Sequence, residues 1–84
     1  MPYFFFDTFD GKSRNQDEIG LLFEDRESAR RSGLAMLPQM AMEALSTADR
    51  QTFTLEIRDD DDTVIYVATL HMAGRWIAAD ESVG

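Results

Sequence analysis

The sequence predicts an α+β domain of order β-β-α-β-β, a four-stranded, mostly antiparallel sheet with one kinked amphipathic helix packed on one face. Three observations carry this expectation. Tyr3-Phe4-Phe5-Phe6 is an aromatic run of high strand propensity. Residues 27–46 place apolar side chains at helical spacing around a proline. Phe53, Leu55 and Ile57 alternate with Thr54, Glu56 and Arg58 ahead of four aspartates, as a half-buried strand entering a hairpin does.

The first strand is read over residues 3–9, which contain neither Gly nor Pro. Asp10-Gly11 turns it, because glycine accepts positive φ without steric cost. Residues 12–16 return as a short polar edge strand, and Asp17-Glu18-Ile19-Gly20 suits a turn with Asp first and Gly fourth. Leu21-Leu22-Phe23 then drops the chain back onto the core.

Asp25 is a good N-cap, with Glu24 and Glu27 placed where the helix dipole favours negative charge. Ala29, Gly33, Leu34, Met36, Leu37, Met40, Ala41, Ala44 and Leu45 fall within about half the helical circumference. Pro38 removes a backbone donor and crowds the carbonyl one turn earlier, so a kink is expected near Leu34 to Leu37. Met42, with Ala35 and Pro38, is expected to form a small exposed patch.

The returning arm of the second hairpin is residues 63–70, and the turn leaves two registers open. A left-handed residue at Asp62 puts Ile65 and Val67 on the face of Phe53, Leu55 and Ile57; a four-residue loop puts Val64, Tyr66 and Ala68 there. Residues 1–71 are read as one domain and 72–84 as a partly disordered C-terminal tail containing Trp76.

Several segments together resemble a family of small bacterial proteins known only as a domain of unknown function. They are Tyr3-Phe4-Phe5-Phe6-Asp7, Asp10-Gly11, Asp17-x-x-Gly20, Asp25 with Ala29-Arg30, and Ile57-Arg58-Asp59 before a hairpin arm. The likeness covers residues 1–71. The family usually carries Gly where this chain has Asp62, and the helix proline is a departure from it. The resemblance implies a fold but no catalytic residue, cofactor or partner.

Composition narrows the function classes. The 84 residues carry sixteen acids and eight bases, a formal charge of −8, which disfavours phosphate backbones and anionic membranes as partners. There is no cysteine, hence no disulfide or thiolate metal site. The five glycines are scattered singly, so no phosphate-cradling loop is present, and no cofactor is expected. No basic-then-apolar leader is visible, which makes the cytoplasm the expected location.

Candidate sites are few. Asp7, Asp10, Asp17 and Glu18 are the metal or acid/base candidates, and turn chemistry already accounts for Asp10 and Asp17. Asp59-Asp60-Asp61-Asp62 lacks the alternating spacing and distal Glu of a calcium loop and reads as a solvated hairpin tip. His71, the sole histidine, has no recognisable nucleophile context.

What stands out is apolar strand surface. Consecutive aromatics make both faces of their strand apolar, and one helix covers one face. The leading expectation is therefore a non-enzymatic interaction module, a homodimer formed through the second sheet face or an edge strand. Phe4, Phe6, Tyr66, Leu70 and Trp76 are the interface candidates. The alternatives are an acidic decoy that occupies a basic protein surface, and a weak metal-binding or enzymatic domain built on the N-terminal carboxylates.

Overall fold

Seven elements follow one another in a computed structural model that describes residues 1–44 and 48–77. They are β1 (Tyr3–Phe9), β2 (Arg14–Asn15), β3 (Leu21–Leu22), α1 (Arg26–Leu34), α2 (Met36–Ala44), β4 (Arg50–Arg58) and β5 (Val64–Ala73). All strand pairings are antiparallel. The sheet runs β2-β1-β4-β5, and β3 pairs with β1 beside β2. There are thus four strand positions, one of them shared by two short segments.

That shared edge has a physical cause. Thr8 and Phe9 pair with Asn15 and Arg14, while Tyr3 and Phe4 pair with Leu22 and Leu21. Residues 16–20 bulge out between the two pairings. In the gap the Phe6 N–H donates to the Asp17 carboxylate at 3.1 Å, so a side chain stands where a strand carbonyl would be.

The Asp25 carboxylate accepts the Ser28 N–H at 2.8 Å, as an N-cap should. The helix then breaks at Ala35. Pro38 explains the position, since its ring excludes the carbonyl of Leu34 four residues earlier. The apolar stripe nevertheless stays in phase across the break. Ala29, Gly33, Leu37 and Ala41 are buried against Phe4, Phe6, Phe53, Leu55 and Ile57. Gly33 is needed for this approach: a Cβ there would lie 2.9 Å from Leu55 Cδ2 and 3.1 Å from Phe6 Cε1. Phe23 packs edge-on to Phe6 at 5.8 Å and seals the core at its β3 end. Met42, Ala35 and Pro38 are exposed on the opposite side. Leu45 falls outside the described residues.

The second hairpin combines the two registers left open by its sequence. Asp62 is left-handed, with φ 65°. A bulge then places Ile65 as an extra residue between the Arg58–Val64 and Ile57–Tyr66 pairs. Tyr66, Ala68 and Leu70 therefore pair with Ile57, Leu55 and Phe53 on the helix side. Val67, Thr69 and His71 take the other face, opposite Glu56, Thr54 and Thr52.

β5 runs on to Ala73, two residues past the boundary expected at position 71. Gly74–Ile77 is neither helix nor strand, and Trp76 is 94% exposed, covering neither face of the sheet. The rest of the expected tail, residues 78–84, lies outside the described residues. Among the described residues no helix is long and apolar enough to cross a membrane.

Candidate functional site

The face away from the helix is organised around Asp7, which is 2% exposed and surrounded by donors. Arg58 grips it in a fork, Nε to Oδ2 at 2.7 Å and Nη2 to Oδ1 at 3.1 Å. The Asp17 N–H donates to the same Oδ1 at 2.9 Å. Arg58 also donates to the Asp17 carbonyl at 2.7 Å and to Asp62 Oδ1 at 2.6 Å, and its guanidinium lies 5.1 Å above the Phe5 ring. Arg14 bridges Asp7 at 3.6 Å and Glu56 at 2.9 Å. Strand alternation accounts for the meeting: Asp7, Glu56 and Arg58 occupy one face of adjacent strands, and β2 adds Arg14.

Burial alone would raise the Asp7 pKa. The Arg58 hydrogen bond, the Asp17 amide and the charges of Arg58 and Arg14 outweigh it and hold the carboxyl below its ordinary value. Asp17 is likewise held low: the N–H groups of Phe6, Ile19 and Gly20 and the charge of Arg58 overcome burial. Both carboxylates are thus committed to the fold.

Asp7 and Asp17 do come together, as the carboxylate reading requires, but the charge they face is Arg58. Asp10 turns away and caps its own turn, accepting the Lys12 and Ser13 N–H groups at 3.0 and 2.9 Å. Glu18 is exposed. The four acids do not converge on a common point. A cation at Asp7 would have to displace Arg58.

Asp59, Asp60 and Asp61 bring carboxylate oxygens within 4.8 Å of one another. Asp59, however, accepts the Asp61 and Thr63 N–H groups at 2.9 and 3.0 Å and so shapes the hairpin tip. His71 Nδ1 lies 2.9 Å from Oγ1 of Thr52, its partner in the ladder. A shallow hollow of about 730 Å³ between residues 15–21 and the helix is lined by Phe6, Ile19, Leu21 and Met36, with Asp17 and Glu18 its ionisable groups.

The interface candidates need correction in their placement. Phe4 and Phe6 are buried under the helix, because residue alternation turns Tyr3, Phe5, Asp7 and Phe9 to the other face. The Ile65 bulge puts Tyr66 and Leu70 on the helix side as well, Tyr66 with Arg30 5.8 Å over its ring. Leu70 remains 37% exposed beyond the helix, and Trp76 is fully outside. Nor is the second face the apolar expanse expected from the aromatic run. The β4 residues Thr54, Glu56 and Arg58 run through it, flanked by Tyr3, Phe9, Val64 and Val67.

The feature that sequence reasoning underrated is the outer edge of β5. This strand has ten residues and, among the described residues, pairs only with β4. It contains no Lys, Arg, Asp, Glu or Pro, and Val64, Val67 and Leu70 are exposed along it. The Gly74 N–H donates to the Asp49 carbonyl at 2.7 Å, continuing the ladder. By alternation Val67, Thr69, His71 and Ala73 turn their backbone groups to the open side. The strand-length signal was legible in the sequence; that none of the described residues pairs with its outer edge was not.

No curated protein matches the chain, and no solved structure does. A family model described as a domain of unknown function, DUF6894, matches residues 3–71. The match takes in both turns, the broken helix and both residues of the Asp7–Arg58 pair, and on that extent the chain belongs to the DUF6894 family.

Proposed function

We propose that this chain is a non-enzymatic protein-interaction module whose docking element is the open edge of β5. The observation that carries the reading is the ten-residue uncharged edge strand with exposed Val64, Val67 and Leu70. Edge strands left alone are ordinarily short, charged, kinked or covered, because their free N–H and C=O groups recruit other chains. The opposite edge follows that rule: β2 and β3 have two residues each, separated by the residue 16–20 bulge. β5 breaks it along nearly its whole length, with one bulge near the turn. Pairing to an added strand supplies affinity through the backbone and selectivity through alternate side chains.

Support also comes from where chemistry would otherwise reside. Asp7 and Asp17 are engaged by Arg58 and by backbone amides, which suits a scaffold role. The test is a photo-cross-linking residue placed at Thr69 and, separately, at Asn15 on the opposite edge. Adducts formed from Thr69 and not from Asn15 are expected. Equal yields from the two edges, or none from Thr69, would sink the reading.

A further inference from the structure

Resting on that docking reading, we infer that the strand received by the β5 edge is β5 of a second copy, paired antiparallel about a two-fold axis beside Thr69. Two constraints select this geometry. A two-fold between antiparallel strands sets a residue opposite itself, and Thr69 is an outward-facing residue next to the midpoint of β5. Centring there engages almost the whole strand, with Thr69 opposite Thr69 and Val67 opposite His71. No charged residue of β5 is buried by the contact, because β5 has none.

The second constraint is charge. One end of the β4–β5 hairpin is the acidic turn Asp59-Asp60-Asp61-Asp62, whose first three carboxylates crowd together. The other end carries Arg50, paired with Ala73, and Arg75 just past β5, with Asp49 and Asp10 as the acids beside them. Lys12 lines the same hollow as Arg50 and His71. Antiparallel self-pairing about Thr69 brings the acidic turn of each copy alongside Arg75 of the other, twice over. A parallel arrangement would instead stack acidic turn on acidic turn, so the charge pattern selects this orientation.

Light scattering and a mixing experiment test the proposal. The wild-type chain is expected at twice its 9.6 kDa mass. Thr69→Pro removes an outward N–H and is expected to give the single mass. Arg75→Asp and Asp61→Lys lie at exposed positions outside the ladder, and each is expected to weaken self-association roughly tenfold. Mixed together, these two variants place opposite charges at both ends of the interface and should recover wild-type association. A wild-type mass of one chain up to about 1 mM, or a mixture no tighter than its components, would overturn self-pairing. In that event, adducts of Thr69 with a different polypeptide would leave the docking reading standing, whereas the absence of any adduct would remove both.

Discussion

Replacing Arg58 with Met should be the most damaging single change on the polar face, and the structure sets its size. The Asp7 side chain is 1% exposed and that of Arg58 13%, so the pair sits largely out of water. Arg58→Met keeps much of the aliphatic bulk over Phe5 but deletes the fork on Asp7 and the bond to the Asp17 carbonyl. What remains is a buried carboxylate with one amide donor and only the half-exposed Arg14 at 3.6 Å to answer its charge. Breaking a buried pair from one side costs about 3–5 kcal/mol. A chain of 84 residues holds roughly 4–13 kcal/mol in all, so the loss is a large share of the total.

Asp7→Asn should cost less, about 1–3 kcal/mol, because the amide oxygen still accepts the Asp17 N–H and no unpaired anion is left. Replacing both residues, as Asp7→Asn with Arg58→Met, should lie closer to wild type than Arg58→Met alone, the mark of coupling. The assay is urea unfolding followed by far-UV circular dichroism. Trp76 fluorescence is a poor reporter because the indole is exposed. With a slope of about 1–3 kcal/mol per molar urea, the Arg58→Met midpoint should fall by about 2 M. A fall below about 0.5 M, or a double variant that merely adds the two single losses, would refute the argument.

Four further outcomes follow from the same geometry. The Asp7 carboxyl is held below its ordinary value of 3.8, so its contribution is intact above that pH and fades as the pH drops through the lower folded value; acid titration of wild type should lose stability mainly below about pH 4, and Arg58→Met should flatten that limb. Gly33→Ala gains about 1 kcal/mol of helix propensity but drives a methyl into Leu55 and Phe6, both buried, so a net loss of about 1–2 kcal/mol and a clearly lower melting temperature are expected. Pro38→Ala should change stability by less than about 1 kcal/mol in the same urea assay, because the break at Ala35 places Pro38 in the first turn of α2, where its missing N–H is no loss. Asp59→Ala should cost about 1–2 kcal/mol through the amides of Asp61 and Thr63, and Asp59→Asn should recover most of it in thermal melts.

Local chemistry was legible in the sequence and long-range partnership was not. The bounds of β1, the Asp25 cap, the Asp10 and Asp17 turns and a bend of the helix between Leu34 and Leu37 each depend on one or a few neighbouring residues, and each stands as read. The sequence left the second hairpin's register open between two alternatives, and a single bulged residue, Ile65, decides that Tyr66 and Leu70 join the helix side; bulges leave no mark in composition. By sequence Arg58 reads as the end of an alternating strand and as part of the Ile57-Arg58-Asp59 segment, with no partner indicated. Its partner Asp7 lies 51 residues away, and only the antiparallel β1–β4 register brings the two together. The expectation of a second apolar face weighed β1 and β5 but overlooked that β4, between them, presents Thr54, Glu56 and Arg58 to that side.

The two edges of this sheet solve opposite problems with separate residues, which makes stability and docking independently addressable. At the β1 edge the missing strand carbonyl for Phe6 is supplied by Asp17, whose own N–H and C=O are held by Asp7 and Arg58. The polar lattice thus closes an edge that would otherwise expose the Phe6 amide. At the β5 edge no side chain among the described residues plays that part: the strand has Thr69 and His71 as the hydrogen-bonding side chains on its far face, and His71 already meets Thr52. Weakening the lattice through Arg58 should therefore lower stability while leaving the outward groups of Val67, Thr69 and His71 as they are. A change at Thr69 should alter association with little effect on the Asp7 pair, which lies across β4 on another strand.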